Sequence, residues 1–290
     1  NRLDTTKLVF AELRKAKIAR LYIASDGPRS DVEGEDMQVE LVRKYILDNI
    51  DWECEIFTLF RETNLGCKIS VSKSIDWFFE NEEMGIVLED DCLPSQSFFW
   101  FCEHLLNFYK NDEKIFLISG YNHQNQWRQD ECDYFFSLLG GIWGWASWRR
   151  AWDHYDVNLG DIDEFIAANG FEKSLGPSLG KIKQEMIYDG IINNKVNSWA
   201  LQWGYARHKN HALTCIPSKS LIQNIGFGES ATHTQETDIR KVQNHDMQFP
   251  LKENIFAITD EEYDNLMFAK ESFYSMAVRR LKKLFANSPI

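Results

Sequence analysis

The chain is poor in the features that identify many protein classes at sight. It has no apolar run long enough to cross a bilayer. Its first residues, Asn1-Arg2-Leu3-Asp4, hold no apolar h-region, so no signal peptide is expected there. None of its 6 cysteines (Cys54, Cys67, Cys92, Cys102, Cys132 and Cys215) forms a C-x-x-C pair, which argues against a structural zinc site. Scattered in this way, they read as reduced thiols of a cytoplasmic protein. The phosphate-loop and dinucleotide glycine signatures are both absent. There is also no excess of positive charge: the net charge of -12 makes a general nucleic-acid binder an unsuitable reading. Internal repeats and low-complexity segments are missing too.

What is present is a core. The 290 residues are 44% hydrophobic and include 10 Trp and 20 Phe, enough for one large domain or two small ones. The organising stretch is Ile86-Val87-Leu88-Glu89-Asp90-Asp91-Cys92-Leu93-Pro94, where three apolar β-formers run into three carboxylates and a proline stops the run. A buried parallel strand with a functional tip has this form. Adjacent carboxylates repel one another, and a hard divalent cation would relieve that repulsion. An ordinary acidic loop is the alternative.

Periodicity supplies the frame. A first helix is expected from a cap at Asp4 or Thr5, with Leu8, Val9, Leu13 and Ala16 on its apolar face. A strand over Leu21–Ala24 follows, then the turn Ser25-Asp26-Gly27-Pro28-Arg29. A helix from about Glu35 carries Met37, Leu41, Val42, Tyr45 and Ile46 at helical spacing. Cys54–Leu59 reads as a strand. Asn64-Leu65-Gly66-Cys67-Lys68 opens a helix with the stripe Val71, Ile75, Phe78 and Phe79, broken at Gly85. Ser95 can cap a helix through Phe108, and Ile115–Ile118 is a further strand. Alternation of this kind predicts an α/β fold with a mostly parallel central sheet flanked by helices. Ligands of such sheets bind beyond the carboxyl ends of the strands, and Asp26, Asp91 and Asn122 all lie just past strand ends.

The second half changes character. Gly140-Gly141-Ile142-Trp143-Gly144-Trp145-Ala146-Ser147-Trp148 is dense in glycine and tryptophan. Indole faces can stack on sugar rings and glycine admits close backbone approach; the same tryptophans can equally fill core, on a short helix from Trp145 to Trp152. Residues 160–198 read as helices around a Gly176-Pro177 loop, and residues 235–258 as irregular. Thr259 with Glu262 forms a capping box for a last helix. Its end, with Arg279, Arg280, Lys282 and Lys283 beside Met276, Leu281, Leu284 and Phe285, is basic and amphipathic. It would suit an anionic membrane surface or merely the helix dipole.

The blocks Asn1-Arg2, Ser25-Asp26-Gly27, Gly66-Cys67-Lys68, Leu88-Glu89-Asp90-Asp91, Ser119-Gly120-Tyr121-Asn122, Gly144-Trp145 and Ala231-Thr232-His233 carry a resemblance. In order and spacing the chain resembles nucleotide-sugar glycosyltransferases of the GT-A fold. It is closest to bacterial hemolytic-protein-like members and more distantly similar to the Golgi N-acetylglucosaminyltransferase that starts complex N-glycans. The resemblance covers residues 1–235, with a donor half to about 122, an acceptor half to 235 and a C-terminal helical extension over 236–290.

It implies a Rossmann-like GT-A sheet. It also implies transfer of a sugar from a nucleotide-diphosphate donor, UDP-linked, to a saccharide or glycolipid acceptor of a bacterial surface polysaccharide or lipo-oligosaccharide. Asp91 would bind Mn²⁺ or Mg²⁺, and Glu89 and Asp90 would touch the donor ribose or sugar. Arg2, Asp26 and Lys68 would hold the nucleotide, and His233 would close over the diphosphate. Asn122, Gly144, Trp145 and Trp199 would surround the transferred sugar and acceptor. The family opens with an apolar strand ahead of the Asn-Arg pair. Its general base lies in a Trp-Asp-rich segment, where this chain has Trp199-Ala200-Leu201-Gln202-Trp203, without an acid. Asp153, Glu185 and Glu229 are the substitutes considered for an inverting reaction. An inactive sugar-binding module and a sugar-phosphate nucleotidyltransferase stay open as alternatives. The expected location is cytoplasmic, with a peripheral seat on the inner membrane face through the basic helix.

Overall fold

A computed structural model describes residues 1–188, 190, 196–226 and 242–267. The first half alternates as expected: α1 (Leu3–Ala16), β1 (Arg20–Ser25), α2 (Glu35–Asp48), β2 (Glu55–Phe60), α3 (Gly66–Asn81), β3 (Met84–Val87), β4 (Cys92–Pro94), α4 (Gln96–Phe108) and β5 (Ile115–Ser119). The second half adds β6 (Tyr134–Ser137), β7 (Trp145–Trp148), α5 (Arg149–Trp152), α6 (Ile162–Ala167), α7 (Gly170–Leu175), α8 (Pro177–Ile187), α9 (Ala200–Lys209), β8 (Leu213–Pro217) and β9 (Ile222–Asn224). No described helix is long and apolar enough to cross a membrane. The basic C-terminal tail, with Arg279, Arg280, Lys282 and Lys283, lies outside the described residues.

The fold is α/β, but the central sheet is mixed. Its strand order is β3-β7-β5-β8-β6. Only β5–β8 runs parallel; β3–β7, β5–β7 and β6–β8 are antiparallel. The acidic strand β3 is therefore half-buried and antiparallel to its neighbour, not a buried parallel strand. Apolar runs report burial and say nothing of direction. The tryptophan-rich segment, expected as a loop or helix, supplies β7, inserted between β3 and β5 with Val87 opposite Trp145 and Ser119 also opposite Trp145. Only its end, from Arg149, is helical.

Helices cover both faces. On one, α4 seats Phe98, Phe101, Cys102 and Leu105 against Ile115, Ile118, Ala146 and Cys215. On the other, α3, α5 and α9 bring Ile75, Phe79, Trp152, Trp199 and Trp203 onto Leu117 and Trp145. The described part of the C-terminal segment belongs to this core. Val242, Met247 and Leu251 join the α4 side, and Tyr263 and Met267 pack on Phe135. Thr259 forms a β-bridge to Phe136, and Asp260 caps the helix that follows, its Oδ1 accepting the Tyr263 N–H at 3.0 Å.

Several helix details differ from the periodic reading. α1 is capped at Arg2, two residues before Asp4, with the Arg2 carbonyl accepting from Thr6 N at 3.1 Å and Thr6 Oγ1 at 2.7 Å. Leu8 is exposed, while Thr6, Val9 and Phe10 are buried. In α2, Met37 and Leu41 are 66% and 55% exposed, and the buried positions are Glu35, Val39 and Arg43. The two buried charges are admissible because each is satisfied. Arg43 donates to the carbonyls of Asp26 at 3.1 Å and Arg61 at 2.7 Å, and Glu35 accepts from Arg29 and Asn1. Gly85 sits inside β3 under the Phe78 ring; α3 has already ended at Asn81. Ser95 occupies the start of α4, but its hydroxyl makes no capping bond.

The parallel β1–β2 pair shares no ladder with the five-stranded sheet. Side chains couple them. Tyr22 Oη donates to Glu82 at 2.9 Å, Arg20 pairs with Glu82 at 3.0 Å, and the Tyr22 ring meets Phe78 edge-on at 5.1 Å. Each of β1 and β3 thus keeps one edge without a strand partner among the described residues. Asn1 sits near the carboxyl ends of both, bonded to Glu35 at 2.6 Å. A strand-length apolar segment appended ahead of Asn1 is expected to protect β1 and β3 amides from hydrogen exchange and to raise the melting temperature. Unchanged exchange at both strands would show that their free edges do not share a gap.

Candidate functional site at the carboxyl edge of the sheet

The chain leaves β3 through Leu88 and turns at Glu89-Asp90-Asp91, with Cys92 N donating to the Glu89 carbonyl at 3.1 Å. The turn is pinned from the far end of the chain. β4 pairs with β9, Ile225 N donates to the Asp91 carbonyl at 2.8 Å, and a Cβ on Gly226 would stand 2.1 Å from Asp91 Oδ2. Only glycine lets the backbone pass so close to this carboxylate.

Arg2 grips the tip. Its Nη1 donates to Asp91 Oδ2 at 2.9 Å, its Nε to Asp90 Oδ2 at 3.2 Å, and its Nη2 to Asp90 Oδ1. The planar fork fits two neighbouring carboxylates as a lysine could not. Glu89 takes no part in this fork. Burial, with the Asp91 and Asp90 charges added, pushes its carboxyl up to about 7.

Asp26 follows β1 on the same edge. Oδ1 accepts from Gly27 N and Leu65 N at 3.0 Å, and Oδ2 accepts from Gly66 N at 3.0 Å. It therefore anchors the entrance to α3, where Gly66 adopts φ 77°. Lys68 lies in the first turn of that helix, and its backbone N–H donates to Asn197 Oδ1 at 2.9 Å. Asn197 was not visible as a site residue in the sequence; nothing in its local pattern marks it.

Other expected site residues have different surroundings. Asn122 is fully buried: its amide donates to Pro217 O at 2.8 Å and its oxygen accepts from Gln124 N at 2.9 Å, bracing the loop after β5. Trp145 and Trp199 are core, their rings stacked 5.7 Å apart. Gly144 has φ 63°, and a Cβ there would meet Ile222 at 2.5 Å and Leu88 at 3.1 Å. It seats the start of β7 against the base of the acidic tip. The aromatic groups that do gather after β5 are Tyr121, His123 and Trp143, with Tyr121 4.8 Å from His123 and 4.7 Å from Trp143. Tyr121 and Trp143 lie in stretches the sequence marks, but their residue types do not separate a site ring from a core ring, and nothing in the local pattern marks His123.

The proton-acceptor candidates disperse. Asp153 follows α5, which begins where Trp148 pairs with Met84, so it lies at the opposite edge of the sheet. Glu185 is on α8, which packs against α7 and α9. Glu229 and His233 lie outside the described residues.

Among the described residues no three His, Cys, Asp or Glu groups converge as a ready metal cage. The donor set suits a different kind of site. Among the described residues Asp91 Oδ1 accepts from the Cys92 thiol alone, at 3.6 Å, and Mg²⁺-like ions commonly use one or two carboxylates with phosphate oxygens and waters completing the shell. No known family model matches the chain, and no curated protein is similar enough to count as a relative.

Two outcomes follow from this geometry. Asp26→Ala removes the acceptor for three backbone N–H groups and is expected to cost about 1–2 kcal/mol in urea unfolding, with Asn recovering part. Glu35 is held down at about 2, first by the Arg29 side-chain bond. An ionised carboxylate favoured by the fold gives stability that is full above its unfolded pKa near ~4.3 and is lost as pH falls toward about 2. Glu35→Gln is expected to flatten that part of the stability–pH curve, read by thermal melts from pH 6 downward.

Proposed function

We propose that the chain is a metal-dependent glycosyltransferase of GT-A type, acting on a nucleotide-diphosphate sugar and a saccharide or glycolipid acceptor. The supporting observation is the meeting of Arg2, Asp90 and Asp91 at the carboxyl end of β3, with Asp26 and the start of α3 on the same edge. In this reading Asp91 holds Mn²⁺ or Mg²⁺ and Glu89 and Asp90 contact the ribose or sugar. When bound, the ion supplies Lewis-acid relief of charge on the leaving diphosphate.

The residues of the chain do the rest. Arg2 can turn its fork from the carboxylates to phosphate oxygens, which it suits equally well. Asp26 fixes the wall that Lys68 projects from. Trp145, Trp199, Asn122 and the buried Tyr121 act as supports of the edge, leaving the part-buried His123 and Trp143 as the rings nearest the acceptor side. Exclusion of water matters, since hydrolysis of the donor competes with transfer. The acceptor hydroxyl must pass its proton to a base; with Asp153 at the far edge, Glu229 is the carboxylate left from the sequence candidates that follows Gly226 closely.

An inactive nucleotide-sugar-binding module is the second reading, favoured by the lack of an acid over Trp199-Ala200-Leu201-Gln202-Trp203. One experiment separates them. UDP-sugar turnover with Mn²⁺ is expected to stop with EDTA and to fall by about 10²-fold or more in Asp91→Asn. Turnover that survives both would sink the metal role, and saturable UDP binding without any turnover would establish the module.

A further inference from the structure

A second concave site lies away from the acidic tip, along the outer face of α4. Trp100, Glu103, His104, Asn107 and Phe108 line it from the helix, at spacings of three and four that keep them on one face. Phe249 borders it from the C-terminal segment, and the open groove has a volume of about 510 Å³. Trp100 is 63% exposed, Phe108 52% and Phe249 41%.

The polar groups of the groove are Glu103, His104 and Asn107. His104 is bonded to Glu253 at 2.5 Å and stacked on Phe108 at 6.0 Å, and Glu253 also accepts from the Tyr134 hydroxyl at 2.7 Å. That network fixes the Phe108 side of the groove and satisfies Glu253. Glu103 is exposed and pairs with no cation among the described residues. No lysine or arginine lines the groove. An exposed carboxylate that lines the same groove as exposed aromatic rings attracts an organic cation: the carboxylate takes the charge and the rings take the apolar surface around it. The same charge disfavours nucleic acid and anionic lipid.

We propose that this groove binds an alkylammonium group, with Glu103 as counter-ion and Trp100 as the principal ring. The ammonium has two natural sources, a small quaternary amine or an amino sugar. The site does not depend on glycosyl transfer being the activity.

Calorimetric titration of the intact chain with choline and with its neutral isostere 3,3-dimethylbutanol tests the charge. Glucosamine against N-acetylglucosamine does the same on a sugar. Saturable binding of choline or glucosamine is expected, weakened about tenfold in Trp100→Ala and in Glu103→Gln, with each neutral analogue weaker than its cation. Choline alone would assign the small amine, and glucosamine alone the amino sugar. Both substitutions are at exposed positions, and unchanged melting temperatures confirm the fold. No saturable binding of either cation, equal binding of the neutral analogues, or indifference to both substitutions overturns the proposal. So does a dimer that dissociates in Trp100→Ala without any response to choline, because a second copy would then fill the groove.

Discussion

One guanidinium between two adjacent carboxylates holds the carboxyl edge of this protein together. Asp90 and Asp91 are neighbours in sequence and cannot separate; without Arg2 their charges would face each other in a half-buried turn. Removing one partner from a buried charge network costs more than the pair contributes, because the remaining charge keeps its desolvation penalty. Arg2 is itself fixed, since its carbonyl starts α1. Asp91 is fixed from the other side by Ile225 and Gly226. The ion pair thus joins the beginning of the chain, its middle and the stretch just after β9, which share no contiguous sequence.

That arrangement depends on β7. A strand running from Trp145 to Trp148 between β3 and β5 holds the acidic tip at a set distance from the loop after β5. Its tryptophans do this by burial. Trp145 packs with Trp152, Trp199 and Trp203 under the sheet, and large rings in such a cluster leave little freedom for the strand above them. Gly144 then allows Leu88 and Ile222 to close over the start of the strand. The glycine and tryptophan density in the sequence is accounted for by packing at the base of the site, one layer below any ligand.

The order of helices and strands in the first half was legible because each element is long enough to show its period, and α3 with β3 shows it best. Direction was not legible: β3 carries the same apolar run whether its neighbour is parallel or antiparallel. Nor was the buried side of α2, where Met37 and Leu41 point outward while Glu35 and Arg43 are buried with hydrogen bonds supplied by Arg29, Asp26 and Arg61. Hydrophobic spacing cannot anticipate a charge whose partners come from other segments. At the site, the acidic triplet was identifiable from residue type alone, whereas Arg2 entered only through the resemblance. The anchoring role of Asp26 was not, because it depends on backbone N–H groups of Leu65 and Gly66 some forty residues away.

The same details bear on what this edge can bind. A helix start next to a strand end is a common anion site, since its first N–H groups are unpaired. Here the approach to α3 is already used: Asp26 takes Leu65 and Gly66, and Asn197 takes Lys68. Arg2 is committed to Asp90 and Asp91. An anionic ligand would therefore meet the Asp90 and Asp91 carboxylates and Glu89, whose carboxyl is pushed up to about 7, with little positive charge free among the described residues to offset them, apart from the Lys68 side chain. Added cationic charge would be needed before a diphosphate could stay, and a divalent ion on Asp91 would supply it while releasing Arg2 toward the phosphates. In that account the triplet does not serve as a cage for metal by itself. Its excess negative charge would make binding of such an anion conditional on the cation, and neither would be held tightly alone.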